Sequence, residues 1–449
     1  MLDAPSYIER PRFSCALAGA MTTVSALPRG IPVLHAAPGC AGNAAWTQVG
    51  GGALQVGGYC ATLAVPSSNV QEREVIFGGE GRLREELHHT FDVIDGDIFV
   101  VIPGCVPAMI GDDVKAVLAE FTEAGRPIVL ADTGGFKGTS YLGYDLVLSA
   151  LFRDFLRRDV AKVANRVNLW GIVPSWDVFW RGNIEALRTL LEGLGLEVNA
   201  FFTRADSARG IRDAAGAALN VVVSDVYGVS AAEVFQAEHG TEFVTLPMPI
   251  GPTASAEFTR TVGERLGIAE PAIAQAIARQ NAIYFGYVDT LADCYSDMDL
   301  QRYAVVIGDA NYAAAIPRFL VDDLGWLPQL VVHTDRLEEA ERAALERRHA
   351  RIAEALRPKV VFETDTSRIG EHFRELLAPA GAGRYTHAFS PAFVIGSSLD
   401  RPFAAEIGAA HLSVSFPVAN RVALDRGYAG ISGGLRLIED LLGTLVAGR

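Results

Sequence analysis

The chain has 449 residues, 50% of them hydrophobic, 20% charged and 9% aromatic, which excludes a disordered, collagen-like or coiled-coil protein. Its 39 Lys and Arg against 53 Asp and Glu give a formal charge of −14, which excludes a broad phosphate-neutralising surface, so no nucleic-acid partner is expected. No stretch reaches the ~18–20 apolar residues of a membrane span, and residues 1–12 lack the apolar run of a signal peptide; a cytoplasmic protein with no membrane partner is expected.

At roughly 100–200 residues per domain the length predicts about two to four domains. Short apolar runs that end in Gly, Pro or Asp and lead into helical periodicity recur along the chain. In order these are Ile31–Leu34, Ile98–Ile102, Pro127–Leu130, Val167–Ile172, Asn220–Val223, Phe243–Leu246, Tyr303–Ile307, Leu330–His333, Lys359–Phe362 and Ala392–Ile395. Such βα alternation predicts parallel sheets covered by helices, with ligands at the carboxyl ends of the strands. A helix is predicted over Leu151–Val163, and a solvated one over Leu337–Leu356, whose interleaved Glu and Arg need no functional account. Cuts near the new strand at Asn165–Trp170 and the polar turn Asp293–Asp299 divide the chain into 1–165, 166–294 and 295–449.

The five cysteines are Cys15, Cys40, Cys60, Cys105 and Cys294, an odd number in a large chain, which argues against a disulfide framework. Cys40 follows Ile31–Leu34 in the turn His35-Ala36-Ala37-Pro38-Gly39-Cys40, and Cys105 follows the strand before Pro103-Gly104. A thiol at a strand-to-helix turn sits among free backbone N–H groups, which are expected to lower its pKa and favour metal ligation. Cys15 is followed by Ala16-Leu17-Ala18-Gly19-Ala20, small residues that leave room for something bulky. The intervals, 25 and 65 residues, are not the paired spacings of zinc ribbons or bacterial ferredoxins. Burial is the common state of a free cysteine, and Cys60 and Cys294 are read that way. Gly134-Gly135-Phe136-Lys137-Gly138 lacks the phosphate-loop order and is read as a turn; His88 and His89 are placed in solvent, and Trp170, Trp176 and Trp180 in the core or at an interface.

With their surroundings, these cysteines resemble the cluster-binding half of nitrogenase component 1 and nitrogenase-like reductases. The spacing of Cys15 and Cys40, the turn Gly39-Cys40, the stretch Phe77-Gly78-Gly79 and the motif Cys105-Val106-Pro107-Ala108-Met109-Ile110-Gly111-Asp112-Asp113 carry the resemblance. Thr133-Gly134-Gly135-Phe136, Gly143-Tyr144-Asp145, Val167-Asn168, Leu246–Gly251, Gly308-Asp309 and Phe416-Pro417 continue it in order. It implies an α/β fold of three Rossmann-like domains with mainly parallel sheets, the first carrying the cluster cysteines. The alpha-type subunit of that family holds its active-site metallocofactor through one cysteine and one histidine. Here Ser224 falls at the cysteine position, Ser415–Gly430 contains no histidine, and His411 is out of register.

The chain therefore resembles the beta-type subunit. That implies Cys15, Cys40 and Cys105 as three thiolate ligands of an 8Fe-7S P-cluster shared with an alpha subunit, with His35, Gly39, Gly104 and Gly135 around it. His35 is read as packing beside the cluster or donating to it. The implied assembly is an alpha-beta heterotetramer served by an ATP-hydrolysing homodimeric iron protein carrying 4Fe-4S, with substrate reduction at the iron-sulfur cofactor of the alpha partner. Two departures point to a divergent relative: Ala36 follows His35 where dinitrogen-reducing beta chains carry glycine, and Gly135 stands at the place of a serine that joins the oxidised cluster. Three cysteines count against tetrapyrrole reductases, which use a smaller 4Fe-4S cluster, and against cofactor-assembly scaffolds. Elimination leaves a nitrogenase or, ahead of it, a nitrogenase-like reductase, with C–S cleavage of methylthio-alkanes as the leading activity. A non-redox metal-chelate binding protein is the alternative from another class.

Overall fold

The computed structural model describes residues 7–53, 65–377 and 391–447. Three parallel sheets follow one another along the chain. The first, in the order β1-β2-β3, comprises β1 (Gly30–His35), β2 (Ile98–Pro103) and β3 (Ile128–Leu130). The second runs β5-β4-β6-β7, with β4 (Val163–Trp170), β5 (Glu197–Asn199), β6 (Ala217–Val222) and β7 (Phe243–Thr245). The third runs β10-β9-β8-β11-β12, with β8 (Tyr303–Gly308), β9 (Leu327–His333), β10 (Lys359–Phe362), β11 (Ala392–Gly396) and β12 (Ala410–Ser413). Parallel strands need crossovers, and helices supply them, so the expected α/β architecture is what the sequence folds into.

Among the described residues seven helices frame the first sheet: α1 (Ala16–Ala26), α2 (Pro38–Gly51), α3 (Glu72–Phe77), α4 (Glu80–Val93), α5 (Cys105–Ile110), α6 (Val114–Glu123) and α7 (Ser140–Asp154). β2 is buried along its whole length, and its two-residue period divides its side chains between two cores. Phe99 and Val101 face Leu83, Leu87 and Val117 of α4 and α6; Val100 and Ile102 join the large core with Leu17 and Met21 of α1. α1 and α7 touch backbone to backbone. A Cβ on Gly19 would lie 1.7 Å from the Ser140 carbonyl oxygen, and one on Gly143 would lie 2.0 Å from that of Ala16.

Three details differ from the sequence reading. The helix expected over Leu151–Val163 is the end of α7, which stops at Asp154; Phe155 and Leu156 turn into the core, and Val163 already begins β4. Strands β5 and β12 lie outside the predicted runs, because Glu197-Val198-Asn199 and Ala410-His411-Leu412-Ser413 carry polar residues where the equally short edge strands β3 and β7 carry mainly apolar ones. The charged stretch 337–356 is α-helical only over Glu339–His349, with a 3-10 turn at Glu354–Leu356, and it is not merely solvated: Arg348 makes a two-pronged pair with Asp225 (2.7 Å each), and His349 is buried. Trp170, Trp176 and Trp180 are buried, and His88 and His89 are exposed. Among the described residues no helix is long and apolar enough to cross a membrane.

Candidate metal centre

Each of the three cysteines lies at the start of a helix. Cys15 is the N-cap of α1, Cys40 sits in the first turn of α2, and Cys105 is the first residue of α5, whose N-cap is Gly104. Cys15 is held from both sides: Ser140 N–H donates to the Ser14 carbonyl (2.8 Å), and Ala16 N–H donates to that of Gly138 (3.0 Å). Just upstream, the buried ion pair Arg12–Asp400 ties this segment to the third sheet's domain. The β1–β2 register, with His35 beside Pro103, brings the two strand-to-helix turns of Cys40 and Cys105 side by side.

Cys40 feels the charges of the other two thiols. The expectation of a lowered pKa does not hold for Cys40: burial raises it, and the charges of Cys15 and Cys105 raise it further, against a backbone hydrogen bond with Ala37. The first-turn N–H groups are outweighed because a half-buried thiolate beside two others lacks a counter-charge. A cation such as iron at this place would supply one. Cys15 is exposed, Cys40 and Cys105 are half-buried, and all three are free thiols. Among the described residues no three His, Cys, Asp or Glu side chains converge closely enough for a single metal ion.

The surrounding residues are small. Nothing lies within 4 Å of the position a Cβ would take on Gly39 or Gly42, so the turn of Cys40 is open. Gly104 is closed: a Cβ there would meet the Ala36 Cβ at 2.8 Å, which is how the two turns pack. The turn carrying Gly135, in the left-handed region at φ 78°, lies over α5, since a Cβ on neighbouring Gly134 would reach Ala108 Cβ at 2.6 Å.

His35 is fully buried, and both its ring nitrogens are engaged: Nδ1 lies 2.9 Å from Ser68 Oγ and Nε2 lies 3.0 Å from Asp112 Oδ2. Burial lowers its pKa against the pull of Asp112 and Glu80. Both ring nitrogens of His35 thus have partners within the chain itself. Asp112 was not singled out as its partner, although the paired Asp112-Asp113 was a usable signal. Only Asp113 acts as the helix cap, accepting from Ala116 N–H at 3.0 Å. A second missed feature is an apolar rim: Phe77 (81% exposed), Phe136 (79%) and Met109 (67%), with Val75 and Ile76, stand open beside these turns, α3 packing on α5. Cys294 is exposed rather than buried, and Cys60 lies outside the described residues.

Ser224 is buried, and its hydroxyl accepts from Val226 and Tyr227 N–H (3.1 and 2.9 Å), capping a turn. His411 Nε2 lies 2.9 Å from the Ser397 carbonyl. After Ser224 the chain enters the wall of a cavity of about 450 Å³ lined by Tyr141, Asp145, Asp225, Tyr227, Asp335 and Glu341 among others. Burial pushes up the carboxyls of Asp145, to about 6, and of Asp335, where the charge of Asp309 adds to it.

Comparison with known proteins gives a consistent result. The family model "Nitrogenase component 1 type Oxidoreductase" matches residues 15–446. The chain is 24% identical over 472 residues to the nitrogenase molybdenum-iron protein beta chain of Methanococcus maripaludis, covering 97% of this chain and 94% of that one. It is 25% identical to one subunit of the light-independent protochlorophyllide reductase of Heliobacterium modesticaldum, covering 58% of this chain but only 49% of that protein, about half its length. A solved structure, "Nitrogenase Cp1 at pH 6.5", superimposes over 100% of this chain and 95% of that one, with a TM-score of 0.79 at 17% identity, which speaks for the fold. With the fold, the three-cysteine site and a family match across nearly its whole length in agreement, the chain belongs to the nitrogenase component 1 type oxidoreductase family, as a beta-type nitrogenase-like subunit.

Proposed function

We propose that Cys15, Cys40 and Cys105 are the three thiolates this subunit gives to an 8Fe-7S P-cluster shared with an alpha-type partner. The observation that carries the reading is three free thiols at three helix starts, two of whose charges act on Cys40, with exposed apolar residues on α3 and α5 beside them. Such a cluster, when bound, passes electrons onward one step at a time. The chain's own residues hold the thiols, exclude water through Gly104 and Ala36, and offer first-turn N–H groups that tune potential. Val75, Ile76, Phe77 and Met109 form the face that the alpha subunit covers.

In this reading the subunit relays electrons from an ATP-hydrolysing homodimeric iron protein carrying 4Fe-4S to the iron-sulfur cofactor of the alpha subunit, in a cytoplasmic heterotetramer. Reductive C–S cleavage of methylthio-alkanes is the activity we place first, on the departures at Ala36 and Gly135; dinitrogen reduction stands second. The test is iron and acid-labile sulfide in the anaerobically co-purified complex, wild type against Cys40→Ala and Cys105→Ala. Loss of about eight iron atoms with the thiols supports the P-cluster, whereas loss of about four assigns the chain to the tetrapyrrole-reductase class. Iron indifferent to both substitutions refutes the electron-relay role and leaves a binding protein or scaffold. Assays of methylthio-alkane and dinitrogen reduction then decide the substrate.

A further inference from the structure

We infer that His35 is a positioning residue for the cluster thiols, gripping both ends of the helix that begins with Cys105 and so fixing that thiol against Cys40. The inference rests on the proposed cluster role of the cysteines and goes beyond it, to what holds two of them in register. At one end, the His35 carbonyl accepts the N–H of Gly104, the N-cap of α5 (2.8 Å). At the other, its Nε2 reaches Asp112 (3.0 Å), the residue after the helix's C-cap Gly111. His35 also ends β1, five positions before Cys40, so one residue spans both turns.

The grip matters because α5 has only six residues. A helix that short closes too few hydrogen bonds to offset its nucleation, and its orientation is set by what it is tied to. The tie is built to one geometry. The ring is bracketed between the Asp112 carboxylate at Nε2 and the Ser68 hydroxyl at Nδ1, and the Ser68 backbone N–H in turn donates to the Leu34 carbonyl (2.9 Å). The other Asp112 oxygen accepts Gly79 N–H (2.8 Å), and Glu80 accepts the N–H of Asp113 (2.9 Å). Gly79 is obligatory here, since a Cβ would fall 2.5 Å from Asp112 Oδ2 and 3.0 Å from the imidazole.

The experiment uses the co-purified complex with His35→Leu, His35→Gln and Asp112→Asn, checking the fold by circular dichroism and following iron release to a chelator, the cluster's EPR spectrum and its midpoint potential. His35→Leu is expected to release iron about tenfold faster, with a broadened signal and a shifted potential, and His35→Gln, which keeps a donor toward Asp112, to restore most of the wild-type rate. If His35→Leu does not fold, Asp112→Asn, which loses the carboxylate but not the imidazole donor, carries the test and is expected to move in the same direction. Wild-type iron retention and potential in a folded His35→Leu protein, or in Asp112→Asn when His35→Leu does not fold, overturn the positioning role while leaving the cluster in place. Iron that is indifferent to Cys40→Ala in the parent overturns the cluster reading instead.

Discussion

Gly104→Ala is the sharpest perturbation of the site that leaves every thiol in place. Gly104 has φ −85°, which alanine adopts freely, so no backbone strain enters. The effect is steric: the new methyl would lie 2.8 Å from Ala36 Cβ and 3.3 Å from Ala36 Cα, where apolar carbons settle at about 3.5–4.0 Å. The turns of Cys40 and Cys105 must therefore move apart by up to about 1 Å, and overpacking against fixed backbone costs about 1–3 kcal/mol. Ala36→Gly removes the opposing methyl, and the double variant should recover about 1 kcal/mol or more of that cost as a coupling energy. Urea unfolding of the three variants measures the stability, and iron content of the assembled complex measures the site. Equal midpoints for Gly104→Ala and wild type, or additive single and double variants, would refute the claim that this contact sets the separation of the two turns.

Gly19→Ala and Gly143→Ala drive a methyl into backbone oxygen and nitrogen rather than a side chain, so each should cost more than about 3 kcal/mol and reduce soluble yield, a result that expression at lowered temperature with urea titration would check. Acid should weaken the third domain through the buried pair His333 and His349, whose Nε2 atoms lie 2.9 Å apart. Burial lowers both folded pKa values, His349 to about 4, whereas an unfolded histidine titrates near 6.5. The stability is therefore complete above about pH 6.5 and is lost as pH falls toward 4, about 3 kcal/mol for His349 alone; His349→Leu should flatten that part of a pH series of unfolding midpoints. Phe77→Ser should leave the isolated chain's stability within about 0.5 kcal/mol, since the ring is 81% exposed, yet weaken co-purification of an alpha-type partner; unchanged co-purification would refute the proposed docking face. Arg348→Ala, which strips the charge partner from the nearly buried Asp225, should cost about 2 kcal/mol, and a double-mutant cycle with Asp225→Ala should show the two to be coupled.

The amino-acid sequence by itself determined the strand-to-helix alternation, because fully buried parallel strands such as Ile98–Pro103 read as continuous apolar runs whose ends are marked by Gly and Pro. It also determined which cysteines stand at turns, since Gly39-Cys40 and Gly104-Cys105 follow such runs directly. Only the tertiary structure decided what those turns do to one another. The Cys40 pKa rises first through burial and then through Cys15 and Cys105, 25 and 65 residues away, and no local propensity of a helix start reports either its burial or a neighbour's charge. His35 looks like a cluster neighbour in sequence, and becomes a bracket for α5 only once β1 and β2 pair in register and set Asp112 beside its ring. The short edge strands β5 and β12 likewise exist because a neighbouring strand offers them hydrogen bonds. Periodicity records which face of an element is buried; the partner on that face, and the electrostatics that follow, are fixed by packing between segments far apart in the chain.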